Sequence, residues 1–367
     1  MKKTRFLALG LSLSLLITLA AFATGCGNNS GGSGGGSGGS APAELPKLEL
    51  SLALFDPATS PMARALGAWA DEVYEKTDGG LKITIFASAS LCPANETLGF
   101  VMDGSADIGW IFTMYFANQF NLTEVVSLPM NGPTHPVQVA EVLWDLYEST
   151  PELRAELDSK LKILHMYGNP PNFISTTKSW GPILNYEDIK GLKLRSPVGG
   201  MTEVLKAWGA SPEGVPPTEC YDALSKGNIQ GTSWEWHGLE AFKVYEHLHY
   251  YMEGMPTYEG VFILGMNREK YDSLPQEYKD VLDQLSGRER SISFGQSFFD
   301  AYLNSKEVIL AAVPDAEIIT PNPEAIAQFK AVADEYAKGW AEKNSTSTFD
   351  AQTYLEKAQA AAEKYQR

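Results

Sequence analysis

Residues 187–236 hold the side chains best suited to chemistry. Arg195 closes a short apolar and basic alternation, Leu192-Lys193-Leu194-Arg195. Leu192 and Leu194 fall on one face of a strand, and Lys193 and Arg195 on the other. A guanidinium presents a planar fork that matches a carboxylate with two charge-assisted hydrogen bonds. On the residues alone, a surface ion pair at a strand end is the better reading of Arg195. About forty residues on, Trp234-Glu235-Trp236 joins two indoles to a carboxylate. Indoles can wall the apolar part of a small ligand. Glu235 could meet an amine, pair with a lysine or serve as a general base. His247 and His249 flank Leu248 and read as packed or surface residues. There is no CxxC, His-rich metal motif, G-x-S-x-G elbow, P-loop, HExxH or dinucleotide fingerprint.

The elements around these residues form a βαβ-like unit. After the strand over 192–195, Pro197, Gly199 and Gly200 break the chain. Met201, Val204, Leu205 and Trp208 then recur at helical spacing up to Gly209. Thr218 is a reasonable cap for a short helix over 219–226, which Gly227 stops. A strand over 229–233 leads into the Trp-Glu-Trp cluster. Arg195 and the aromatic cluster therefore belong at strand ends, where open α/β sheets bind ligands.

The leader is legible by composition. Lys2, Lys3 and Arg5 precede an apolar run over 6–22 and the sequence Ala23-Thr24-Gly25-Cys26. This predicts a signal peptide over 1–25 and lipidation of Cys26, with an ordinary signal peptide as the alternative. Residues 26–45 are mostly Gly and Ser, a flexible tether with a reach of roughly 25 Å. Removing the three cations takes the formal charge from −16 to −19. Such acidity argues against nucleic acid and suits a soluble surface protein. Cys92 and Cys220 read as two buried thiols or as a pair.

Along the rest of the chain, Leu48, Leu50, Leu52 and Leu54 alternate as a first strand, with Phe55-Asp56-Pro57 as its exit. Ser60 caps a helix whose first position is Pro61. Strands follow over 81–86, from 106, over 161–167 and over 261–266. Residues 110–116, WIFTMYF, fit either a buried strand or a ligand wall. Asn169-Pro170-Pro171-Asn172 suits a crossing between lobes. Pro275 opens a long helix that Gly287 and Gly295 could kink. Further helices are predicted over 326–340 and 351–365.

The order Asp188, Lys190-Gly191-Leu192-Lys193-Leu194-Arg195, Trp208-Gly209-Ala210-Ser211-Pro212, Glu219, Tyr221, Ala223-Leu224 and Gly227 resembles the solute-binding proteins of TRAP transporters, the DctP family. Leu128-Pro129-Met130 and Asn267 to Pro275 are similar to further family motifs. The resemblance implies an α/β protein of the periplasmic-binding-protein type II-like class, with two lobes of mixed sheets, a cleft between them and a long lobe-spanning helix. Lobe 1 would take 46–171 with part of 261–300, and lobe 2 would take 172–260 with part of 301–367. Arg195 would hold a substrate carboxylate. The implied ligand-binding set is Arg195, Trp234, Glu235, Trp236, Phe112, Tyr115, Phe55, Asn172 and Glu259. Members specific for 2-oxo or 2-hydroxy acids carry a Glu-Trp pair and a metal ion, so Glu235 and Glu259 are candidate metal ligands; no other cofactor is expected. Sialic-acid-type members have a second arginine near the segment Phe173-Ile174-Ser175-Thr176-Thr177, which has none here. A single principal carboxylate on an apolar or aromatic body fits better. The implied protein is a monomer outside the cytoplasm, anchored to the cell membrane by its N-terminal lipid, that delivers a small organic acid to TRAP membrane permease subunits. A binding protein serving a sensor, or a secreted lipoprotein hydrolase, is the alternative.

Overall fold

The computed structural model describes residues 45–197 and 200–367. The leader, Cys26 and the Gly/Ser tether lie outside the described residues, as does Gly199. Among the described residues eleven strands follow in order: β1 (Leu48–Ala53), β2 (Leu81–Phe86), β3 (Ile108–Phe112), β4 (Lys162–Gly168), β5 (Phe173–Thr176), β6 (Lys193–Arg195), β7 (Ser211–Glu213), β8 (Gly231–Trp234), β9 (Tyr250–Tyr251), β10 (Val261–Met266) and β11 (Glu317–Ile318). They form two sheets. One runs β2-β1-β3-β10-β4 and the other β11-β9-β5-β8-β6-β7. Both are mixed. In the first, β1, β2 and β3 are parallel and β10 is antiparallel to β3 and β4. In the second, β6 is parallel to β7 and β8, while β5 is antiparallel to β8 and β9.

The alternation of β1 does what period two requires. Leu50 and Leu52 are fully buried on one face, while on the other Glu49 is exposed and Ser51 only partly buried. β10 is buried at all six positions, as a strand covered on both faces should be. Ser60 caps the helix Pro61–Lys76 by accepting from the Ala63 amide at 3.0 Å.

The two sheets are joined by segments that cross side by side. Asn169 N–H donates to Gly260 O at 2.9 Å, Asn172 N–H to Tyr258 O at 3.0 Å, and Thr257 N–H to Asn172 O at 2.8 Å. The helix Arg288–Ala312 also spans both halves. Phe294 and Phe298 join the core containing Trp110 and Tyr167, while Tyr302 and Ile309 join the core containing Trp236 and Tyr251. Its expected continuity from Pro275 is broken: Gln276–Gln284 is a separate helix, and Gly287 at φ +87° separates the two. That dihedral is one that only glycine adopts cheaply. Gly295 does not interrupt the helix. It lets the helix approach the Pro136 backbone, which an added Cβ would meet at 3.1 Å. Cys92 and Cys220 are free buried thiols. No helix among the described residues is long and apolar enough to cross a membrane.

Candidate functional site

Four strands of the two sheets end at one cavity. β1 exits into Phe55 and Asp56; Phe112, Arg195 and Trp234 are the last residues of β3, β6 and β8. The cavity is narrow, with about 30 Å³ of free space between its walls. Its placement outside strand carboxyl ends follows the general geometry of open α/β sheets.

The wall from the first sheet is aromatic. Trp110 of β3 and Phe262 of β10, diagonal neighbours across the strand pair, stack with centroids 4.0 Å apart and planes 9° apart. Phe55 and Phe112 pack on the same group at 4.7 Å from Trp110 and 4.8 Å from Phe262. Trp110 is steadied by its own hydrogen bond, with Nε1–H donating to the Tyr167 hydroxyl at 2.7 Å.

The wall from the second sheet is charged and polar. Arg195 is 2% exposed, so burial overturns the surface-pair reading. Nη2 donates to the Tyr115 hydroxyl at 2.8 Å, Nε to Val215 O at 3.3 Å and Nη1 to Ser233 O at 3.5 Å. The guanidinium carbon lies 4.0 Å from the Trp234 ring centroid, a cation–π contact. Among the described residues no carboxylate pairs with it. A permanently charged group buried without a counter-ion is costly, and a ligand carboxylate would relieve that cost.

Glu235 caps the helix Trp236–Ala241, accepting from the His237 amide and from the Gly238 amide at 2.8 Å. Burial pushes its carboxyl up to about 7, although the His237 charge and the two backbone donors work in the other direction. Gly238 is required by a close approach: an added Cβ would lie 2.0 Å from Trp234 Nε1. His237 Nε2 lies 3.0 Å from Asp56 Oδ2, joining one residue from each sheet's strand exits. Burial works against the imidazole's charge, but the bond to Asp56 and the nearby carboxylates outweigh it and raise its pKa.

Seven of the nine expected binding residues line this cavity: Arg195, Trp234, Glu235, Phe112, Tyr115, Phe55 and Asn172. Trp236 does not. Its ring packs on Phe173 and Tyr251 at 5.0 and 4.6 Å, and Nε1 donates to Glu253 at 3.0 Å. Glu259 does not either; it borders a separate hollow with Leu128, Met130, Pro133 and Lys330. Neither of its oxygens has a hydrogen-bond partner among the described residues, and burial holds its pKa well above the usual range. The metal reading of Glu235 and Glu259 does not fit. Glu235 spends both oxygens on backbone N–H groups, and no cluster of three or more His, Cys, Asp or Glu suited to a metal occurs among the described residues.

Sequence reasoning missed Asp56, His237, Tyr258 and Phe262, all of which line the cavity. Asp56 could have been found as a carboxylate in the exit loop of the first strand. His237 gave no comparable signal, because a single histidine after Trp236 has no spacing to interpret.

The family model for bacterial extracellular solute-binding protein family 7, DctP, matches residues 52–344. An outer membrane transporter protein, TsaT, of Comamonas testosteroni is 23% identical over 299 residues, covering 80% of this chain and 86% of its own. A TRAP solute-binding protein of Rhodoferax ferrireducens T118, solved with copurified benzoate, superposes with a TM-score of 0.79 at 25% identity, covering 87% of this chain and 98% of its own. A marine metagenome TRAP solute-binding protein specific for aromatic acids superposes with a TM-score of 0.80 at 24% identity, covering 88% of this chain and 100% of its own, and its likeness is one of fold.

Proposed function

The chain belongs to the bacterial extracellular solute-binding protein family 7, DctP, and from that premise we propose that it captures a small organic monocarboxylic acid with an aromatic or apolar body for a TRAP permease. The family and fold are those of extracytoplasmic substrate-binding proteins rather than enzymes. The observation that carries the ligand reading is Arg195: a buried guanidinium, unpaired with any carboxylate among the described residues, in a cavity walled by aromatic rings. In this reading the carboxylate meets the free edge of the guanidinium beside Tyr115. The body of the acid lies between Trp234 and the Phe55–Phe112–Phe262 group.

The cavity is walled by both sheets, so ligand bound there favours the closed arrangement of the lobes over an open one. The relative solved with copurified benzoate supports an aromatic acid as the class to test first. Before docking on the permease, the protein is held at the membrane by Cys26. The fatty-acid label of wild type, absent in Cys26→Ser, tests that part alone.

A panel of carboxylic acids, scored by melting temperature, tests the function. A cognate acid at one hundred times its Kd should add about 2.7 kcal/mol of stability. It should also be recovered chemically unchanged. Turnover of the acid, or no stabilisation by any aromatic or aliphatic monocarboxylate, would overturn the reading.

A further inference from the structure

Asp56 and His237 form a buried polar pair in the cavity wall whose role is not accounted for by the carboxylate clamp. His237 is 2% and Asp56 3% exposed. With Asp56 as acceptor, Nε2 is the nitrogen that donates, across 3.0 Å. The other ring nitrogen, Nδ1, is also buried and has no hydrogen-bond partner among the described residues. Glu235, the nearest carboxylate in sequence, does not serve it; its oxygens accept from the His237 and Gly238 amides. The ring is held edge-on to Phe298, with centroids 5.1 Å apart and planes 88° apart. A buried polar atom left unmet is destabilising, and polar atoms in such positions normally have a partner. His237 is among the residues that line the cavity, so a bound group is available as that partner.

On a neutral ring that donates through Nε2, Nδ1 carries a lone pair and accepts. On a charged ring it carries a proton and donates. A hydroxyl group answers both states, since it donates and accepts; a hydrocarbon answers neither. Trp234 separates the roles of the two polar groups, with Arg195 over its ring face and Gly238, next to His237, against its Nε1 edge.

We infer that His237, oriented by Asp56, is the specificity-determining residue that reads a hydroxyl on the bound acid, so that the preferred ligands are hydroxy-substituted aromatic monocarboxylic acids. This rests on the reading of Arg195 as the carboxylate clamp.

Calorimetry on the soluble protein with two matched pairs tests it: phenylacetate against 2-hydroxy-2-phenylacetate, and benzoate against 3-hydroxybenzoate. Wild type should bind at least one hydroxylated acid about tenfold more tightly than its parent, in the range expected when a polar site loses its partner. His237→Phe should bring that ratio to about one, whatever loss both acids share. His237→Gln, which restores hydrogen-bonding atoms, should recover part of the ratio. Should His237→Phe fail to fold, His237→Met fills the volume without a ring nitrogen and carries the same expectation. No preference in wild type, or an unchanged ratio in the folded apolar variant, overturns the inference. Arg195→Lys discriminates the two claims. If it spares both members of a pair, the clamp reading is wrong; if it weakens both while wild type shows no hydroxyl preference, only the role of His237 falls. Failure of all four acids to bind wild type overturns both.

Discussion

The first sheet lines the cavity with rings that support one another, and the second lines it with charges that depend on the backbone. Trp110, Phe262, Phe55 and Phe112 form a continuous stack, and the Trp110–Phe262 pair belongs to the hydrophobic core as much as to the wall. Arg195, Glu235 and His237 sit at the ends of β6 and β8, held by carbonyls, by helix-end amides and by Asp56 across the cavity. The contrast separates shape from recognition. An aromatic wall is stabilised by its own burial and contributes whether or not a ligand is present. A buried arginine with no carboxylate partner among the described residues costs folding energy, which a bound carboxylate would offset.

Truncating the aromatic wall should therefore damage the fold first. Trp110→Ala removes a fully buried indole and its hydrogen bond to Tyr167, and should cost about 3–5 kcal/mol of stability, read from urea unfolding. A loss of affinity with no loss of stability would break the comparison, because the wall would then be a ligand surface alone.

Changing the charged wall should damage binding. Arg195→Lys keeps the charge but loses the fork, and should lower affinity by about 2–5 kcal/mol, at least about thirtyfold, for every acid that binds. The two neighbouring indoles sharpen the same line. Trp234→Ala should weaken acids with a bulky apolar body roughly tenfold more than small ones, since it removes the indole against which that body is proposed to pack. Trp236→Ala should lower stability and leave the order of preference among acids unchanged, because that ring packs on Phe173 and Tyr251.

The smallest effect is one of pH. Glu235 has its folded pKa raised from 4.5 to about 7, so the folded state keeps a proton that the unfolded chain has lost. The sign follows from linkage: wild-type stability falls relative to Glu235→Gln as pH rises from 4.5 to about 7, and the difference is flat on either side. Glu235→Gln keeps one of the two acceptors and removes the titration, so the change of the difference with pH reports the charge. Paired melts across pH 4–9 would show it, and parallel curves would contradict the burial of that carboxyl.

What the sequence revealed follows from how local each feature is. The first strand, Leu48–Ala53, and the Ser60–Pro61 helix start are written in a period of two and in a cap, whereas Arg195 read on its residues alone as a surface pair and only its burial corrects that. Trp234 and Trp236 could not be told apart, because a helix begins between them with Glu235 as its cap and turns the second indole away. The period of a strand puts both on one face; the cap breaks it. Gly287 was visible as a possible kink, but its positive φ, which ends one helix before another begins, was not. Asp56 and His237 lie 181 residues apart, and only the crossing of the lobes makes them a pair. Glu259 was placed at the ligand by its position in the motif, and burial in a different hollow corrects that.

The central claim is that a carboxylate binds against Arg195 in the cavity between the two sheets. A crystal structure of the protein with phenylacetate tests it most directly. The account predicts both carboxylate oxygens within about 3 Å of the Arg195 guanidinium, and the ring between Trp234 and Phe262. A ligand bound in the cavity with its carboxylate turned away from Arg195, or bound outside the cavity, would contradict it.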